Sequence, residues 1–122
     1  MKYDQLLYLA GPYSFSPEIA FERHAAYAAS LLQKGFFIFS PILHNHQLAH
    51  TYELPKDAEF WQGYNKAMLL RCTELWVMLE PGWDNSKGTQ YEIAVAIETN
   101  KPIKYITLYG NGLLRVTSTA PV

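Results

Sequence analysis

Leu75-Trp76-Val77-Met78-Leu79, then Gly82-Trp83-Asp84-Asn85-Ser86-Lys87-Gly88, then the segment running on to Asn100, is the stretch that decides the fold. Five consecutive apolar residues suit a strand buried on both faces. The loop that follows is built of glycine and small polar residues. Gly88 to Asn100 is expected to be a helix, closed by Lys101-Pro102. A strand feeding a glycine-bearing loop and then a helix is the repeating unit of a parallel sheet with helices on its faces.

The same unit recurs outward in both directions. Leu6-Leu7-Tyr8-Leu9-Ala10 is a short apolar run ending at Gly11-Pro12, and Ser16-Pro17 opens a helix that Lys34-Gly35 stops. Phe36-Phe37-Ile38-Phe39 forms a second buried strand, closed by Ser40-Pro41. Ile42 to Lys56 is expected as a polar, histidine-rich connection. Asp57 is expected to cap a helix reaching about Arg71. Ile103 to Tyr109 makes a fourth strand, Gly110-Asn111-Gly112 a turn, and Leu113 to Thr117 a returning edge strand. The fold expected over residues 1–122 is a single α/β domain. It is a three-layer, doubly wound, mostly parallel sheet of four to five strands, of the flavodoxin or Rossmann type.

Composition narrows the function classes. With 122 residues, 49% hydrophobic and 17% charged, the chain supports one packed core and is not a disordered segment. The formal net charge of -1 and the lack of any Lys/Arg cluster argue against a nucleic-acid polymer as partner. One cysteine, Cys72, cannot form an intrachain disulfide, which together with an N-terminus free of signal-peptide pattern gives a cytoplasmic expectation. Apolar runs are far too short to span a bilayer, so no membrane partner is expected.

Three loops sit at carboxyl strand ends, where ligands bind in parallel α/β sheets: Gly11 to Ser16, Ser40 to Lys56, and Glu80 to Lys87. Glu92 lies just beyond the third, with apolar neighbours Tyr91, Ile93, Val95 and Ala96. A carboxylate in such surroundings is costly to bury unless something pairs with it or uses it. Ser86 and Gly88, with backbone N–H groups at a helix N-terminus, form the kind of cradle that takes a phosphate. The helix dipole is expected to keep Glu92 ionised. Gly11, Ser14 and Arg23 are candidates for holding a sugar or phosphate. Trp83, Asp84 and Ser86 are candidates for a lid over the ligand. His44, His46 and His50 invite zinc, but their spacing matches no common small-domain zinc signature and no second ligand cluster follows, so no metal is expected. Neither the dinucleotide fingerprint nor a P-loop is present.

Tyr8-Leu9-Ala10-Gly11-Pro12-Tyr13, Ser40-Pro41 with His44, Phe60-Trp61, and Gly82-Trp83 with Ser86, Gly88 and Glu92 together resemble the nucleoside 2-deoxyribosyltransferase superfamily. The likeness runs from about Tyr8 to Pro102 and is nearest to the small, poorly characterised bacterial and phage-type members, with a nucleotide N-glycosidase-like pattern. It implies that Glu92 is the nucleophile on the anomeric carbon, that Tyr8 orients it, and that Ser86 touches a 5′-phosphate. It implies that Gly11, Pro12, Tyr13, Ser14 and Gly88 border the ligand, and that His44, Trp61 and Trp83 line the base side. A homodimer or higher homo-oligomer, a nucleoside or nucleotide as small-molecule partner, and no cofactor are implied as well. Two positions depart from the family pattern. Asn65 stands where an aspartate usually assists the leaving base, and Thr73 stands where another aspartate is common; Asp84 is the candidate substitute. The expected function is N-glycosidic bond cleavage of a nucleoside 5′-monophosphate or nucleoside, by hydrolysis or base transfer. The alternatives are a non-catalytic nucleotide-binding module on the same fold and an unrelated flavodoxin-like protein with a structural Glu92.

Overall fold

The computed structural model describes residues 3–13 and 16–121. Within them the elements run β1 (Leu7–Ala10), α1 (Pro17–Gln33), β2 (Ile38–Phe39), α2 (Pro41–Tyr52), α3 (Ala58–Arg71), β3 (Glu74–Met78), α4 (Lys87–Glu98), β4 (Ile103–Leu108) and β5 (Leu114–Thr117), with a 3-10 turn at Trp83–Asn85 before α4. This is a mixed α/β fold whose five-stranded sheet has the order β2-β1-β3-β4-β5. β1 pairs in parallel with β2 and β3, and β3 with β4, while β5 returns antiparallel with Leu108 opposite Leu114.

Side chains alternate across a strand, and β1 shows how that builds the core. Leu7 and Leu9 pack with Tyr27, Ala28 and Leu31 of α1 on one face. Tyr8 and Ala10 pack with Leu69 of α3, Cys72 just after it, and Val95 and Ala96 of α4 on the other. Both faces are covered, which is why the strand is apolar without a break. Each fully buried Leu contributes on the order of 2 kcal/mol of transfer free energy. From β1 the chain moves to β2 on one side and then crosses to β3 on the other.

One segment departs from expectation. Residues 41–52 are helix, not an irregular connection. Ser40 Oγ accepts from the Leu43 backbone N–H at 3.2 Å and Pro41 occupies the first turn, so Ser40-Pro41 starts a helix; Ser16-Pro17 starts α1 with the same proline but without a side-chain cap bond. Polarity hid it, because α2 turns Asn45 and His46 inward where core helices carry apolar side chains. The segment ends at Glu53, whose φ of 55° is left-handed. β2 is correspondingly short; Phe36 packs on the core and the Phe37 carbonyl accepts from Leu7 N–H at 2.9 Å. Asp57 caps α3 as expected, accepting from Phe60 N–H at 2.8 Å. No helix among the described residues is long and apolar enough to cross a membrane.

Candidate functional site

Glu92 sits on the inner face of α4 and is 8% exposed. Tyr8, fully buried on β1, donates its phenol O–H to Glu92 Oε2. Burial pushes the Glu92 carboxyl from 4.5 up to about 7, and the Tyr8 bond opposes part of that rise. Burial, then the neighbouring Glu92 charge, holds the Tyr8 phenol well above its ordinary value, so it remains a donor. The dipole expectation is corrected here. Ser86 is the cap of α4, Glu92 lies six residues further on, and dipole stabilisation is confined to about the first turn. Desolvation therefore wins.

Glu92 opens into a cleft bordered by the β1 loop, α2, the start of α3 and the N-terminus of α4. The cleft has a cavity volume of about 70 Å³ and is open to solvent at its mouth. At its α4 end, Ser86 Oγ accepts from Thr89 N–H at 3.3 Å. The early N–H groups of a helix lack partners within it and face outward with partial positive charge. Thr89 adds a second sign of a missing partner. It is 1% exposed, lines the cleft, and its Oγ1 has no hydrogen-bond partner among the described residues. An orphaned buried hydroxyl costs roughly 1–3 kcal/mol, and such groups call for an explanation. Lys56, exposed at the same cleft, brings a cation.

The opposite wall carries Trp61, Asn65, Asn45, His46 and Tyr13. Asn65 Oδ1 accepts from Asn45 Nδ2 at 2.9 Å, and Asn45 Oδ1 meets His44 Nδ1 at 2.8 Å. Because an amide oxygen only accepts, His44 carries its hydrogen on Nδ1, and its Nε2 accepts from Tyr64 O–H at 3.2 Å. Asn65 thus has its oxygen occupied and its N–H₂ group left as the cleft-side donor. His46 is buried, and its Nδ1 lies 2.7 Å from the Tyr13 hydroxyl. The three histidines of α2 do not converge: His44 and His46 serve different partners, and His46 and His50 stack at 6.3 Å. No group of three or more His, Cys, Asp or Glu side chains among the described residues is arranged to hold a metal.

Gly11 borders the cleft where the chain leaves β1. A Cβ there would stand 3.1 Å from the His24 ring and 3.2 Å from Met78 Cβ, so only glycine fits without displacement. His24 is fully buried, its Nε2 is 3.3 Å from the Pro12 carbonyl, and burial lowers its pKa to about 4. It braces the loop as a neutral ring.

The structure brings Glu92, Gly11, Tyr13, Trp61, Asn65, Ser86 and Gly88 around one cleft, with Tyr8 beneath the carboxylate. Other candidates lie elsewhere. Arg23 is held by Glu80 through two bonds, at 2.9 and 3.0 Å, and Tyr27 O–H also donates to Glu80 at 2.8 Å. That ion pair occupies the guanidinium away from the Glu92 cleft, because Glu80 is the carboxylate left at the end of β3. Trp83 packs edge-on against Tyr105 and belongs to the core on the α4 side. Asp84 is exposed in the 3-10 turn and does not border the cleft. His44 is likewise exposed and reaches the cleft only through Asn45. Pro12 lies at the outer mouth. Ser14 falls outside the described residues. Thr73 ties the sheet together, accepting from Leu6 N–H at 3.0 Å and donating to Leu6 O at 3.1 Å.

The sequence reading missed Thr89, Asn45 and the placement of His46. Thr89 carried a signal, since it stands three residues before Glu92 and so shares its helix face. Asn45 and His46 required seeing that 41–52 is a helix.

A mixed α/β domain with a buried acid beneath a helix N-terminus is the class that fold and cleft define. Within it, the chain belongs to the family described as a domain of unknown function (DUF1937), which it matches over residues 5–108. The search of curated proteins finds no match.

Proposed function

We propose that the protein cleaves the N-glycosidic bond of a nucleoside 5′-monophosphate or nucleoside, by hydrolysis or by transfer to another base, through a covalent glycosyl intermediate on Glu92. The observation that carries this reading is the buried Glu92 carboxylate, held by the Tyr8 phenol and open to a cleft that ends at the N-terminus of α4. A buried acid at a cleft, with no ion-pair partner among the described residues, is the kind of group that marks a functional site. The strand order β2-β1-β3-β4-β5 supports a doubly wound, flavodoxin-like arrangement, and the resemblance to nucleoside 2-deoxyribosyltransferases supports the chemistry.

In this mechanism the ionised Glu92 attacks C1′ as the bond to the base breaks, through an oxocarbenium-like transition state. Water or a second base then attacks the ester from the opposite face, giving net retention. Tyr8 fixes the carboxylate rotamer. The α4 N-terminus, the Ser86 and Thr89 hydroxyls and Lys56 take the phosphate or sugar, and Trp61 and Asn65 meet the base. No cofactor takes part. We read the protein as cytoplasmic and as a homodimer or larger assembly; exposed Tyr52 on α2 and Phe60 and Tyr64 on α3 offer apolar surface for such a contact.

The test is incubation with a panel of ribo- and deoxyribonucleoside 5′-monophosphates and chromatography for free base. Base release that falls by at least about 10³-fold in Glu92→Gln supports the enzyme. A second reading, a non-catalytic nucleotide-binding module, is favoured by one observation: Asn65 offers an amide where an acid would assist the leaving base. Micromolar binding without released base across the panel selects it.

A further inference from the structure

We infer that Glu18, His46 and Tyr13 form a proton relay, with Tyr13 as the acid that protonates the departing base; this rests on the glycosidase reading of the cleft. A base leaving as an anion needs a proton, and Asn65 has none to give as an acid. Asp57 lines the cleft but caps α3, and Glu92 is committed to the attack. Lys56 is assigned to the phosphate, which leaves Tyr13 and His46 among the described titratable residues of the cleft, and they are already connected.

His46 is 5% exposed, and its ring packs on Phe21 with centroids 4.7 Å apart. Its Nδ1 lies 2.7 Å from the Tyr13 hydroxyl, and its Nε2 lies 3.5 Å from Glu18 Oε2. A carboxylate, an imidazole and a hydroxyl thus stand in series from α1 through α2 to the loop after β1. The Glu18 end is in water, with its side chain 73% exposed, and the Tyr13 end borders the same cleft as Glu92. A merely packed histidine does not require a hydroxyl on one ring nitrogen and a carboxylate beside the other.

With hydrogen on both ring nitrogens, His46 faces Glu18 through Nε2 and donates from Nδ1 to the Tyr13 oxygen. That leaves the Tyr13 O–H free for the ligand. When a Glu92 oxygen bonds to C1′, the C1′–N electron pair passes to the base nitrogen. Tyr13 gives that nitrogen its proton, and the Nδ1 proton moves onto the Tyr13 oxygen. His46 is left neutral with its Nε2 hydrogen still toward Glu18. In the second step water attacks C1′, its proton returns through Tyr13 to Nδ1, and the Glu92 carboxylate is released.

Leaving-group dependence tests this. Nitrophenolate departs without protonation, so wild type, Tyr13→Phe, Glu18→Gln and Glu92→Gln are compared on the nucleotide panel and on the 4-nitrophenyl ribosides of D-ribose 5-phosphate and its 2-deoxy form. For Tyr13→Phe, kcat on the nucleotide is expected to fall about 10²-fold or more, and this loss should exceed the loss on the nitrophenyl substrate by at least about 30-fold. Glu18→Gln, altered at an exposed position, should show the same selectivity at about 3- to 10-fold even if Tyr13→Phe folds poorly. Glu92→Gln should lose both activities. Equal losses on the two substrate types, or none, would overturn the relay while leaving Glu92-dependent base release intact. A wild-type protein that releases neither base nor nitrophenolate would overturn the relay together with the glycosidase reading.

Discussion

Replacing the buried Glu92 carboxyl should make this protein more stable, and by an amount that depends on pH in a set direction. Folding raises the Glu92 carboxyl from 4.5 to about 7 because burial disfavours its charged form. Below about pH 4.5 the group is protonated in both folded and unfolded chains, and it imposes no charge penalty. As pH climbs through the folded value, the unfolded chain has already released its proton while the folded chain still holds one, so stability declines. Each pKa unit is worth about 1.4 kcal/mol, so the interval carries on the order of 3 kcal/mol, complete by about pH 8.

Glu92→Gln has nearly the same shape, and its amide oxygen still accepts from Tyr8. The variant should match wild type near pH 4.5 and exceed it by up to about 3 kcal/mol at pH 8, a rise of roughly 10 °C in midpoint for a chain of this length. His24 runs the other way: burial lowers it to about 4, so its contribution is present at neutral pH and lost as pH falls through that value. Both proteins contain His24, and its effect cancels in the difference. Thermal melts of the two proteins from pH 4.5 to 8 measure that difference directly. A constant offset across the range, or a variant that is less stable at pH 8, would refute the account of Glu92 as an acid charged against the grain of its surroundings.

In the proposed mechanism only ionised Glu92 attacks, so the same carboxyl should set the ascending limb of the pH–rate profile, with kcat/KM rising as pH passes through about 7. Tyr8→Phe removes the bond that opposes the rise, so this limb should move to higher pH and stability should fall by about 1–2 kcal/mol. Thr89→Val replaces an orphaned buried hydroxyl with a methyl of similar size; denaturant melts should show a gain of about 1 kcal/mol, while titration with a nucleoside 5′-monophosphate should show several-fold weaker binding. Gly11→Ala pushes a methyl into the His24 ring and Met78 and should destabilise by about 1–3 kcal/mol, with weaker ligand binding because the β1 loop must shift.

Those predictions draw on features that were unequally legible in the sequence. Strands and their loops were plain, because unbroken apolar runs such as Leu75 to Leu79 admit few other readings. Glu92 was plain too, since a carboxylate between apolar neighbours contradicts its surroundings. α2 was not legible, because a helix that turns Asn45 and His46 inward lacks the apolar stripe by which helices are recognised. Arg23 misled for a related reason. Its proximity to the β1 loop was visible, but Glu80, the partner that occupies it, comes from the far side of the chain. Pairings over that separation are set by the sheet, not by local spacing.

The polar interior of α2 follows from what it faces. Asn45 and His46 are buried on a short helix where apolar side chains would pack with less penalty. Each has its polar atoms matched: Asn45 to His44 and Asn65, His46 to Tyr13 with Glu18 nearby. Such networks add little net stability over an apolar core and hold donors at set positions. Here they hold the Asn65 amide and the Tyr13 hydroxyl at the wall of the Glu92 cleft. On the opposite side Glu92 and Thr89 are left poorly satisfied. The buried Asn45 and His46 are paired within the protein, while Thr89 Oγ1 across the cleft has no partner among the described residues, a contrast that fits the nucleotide site proposed above.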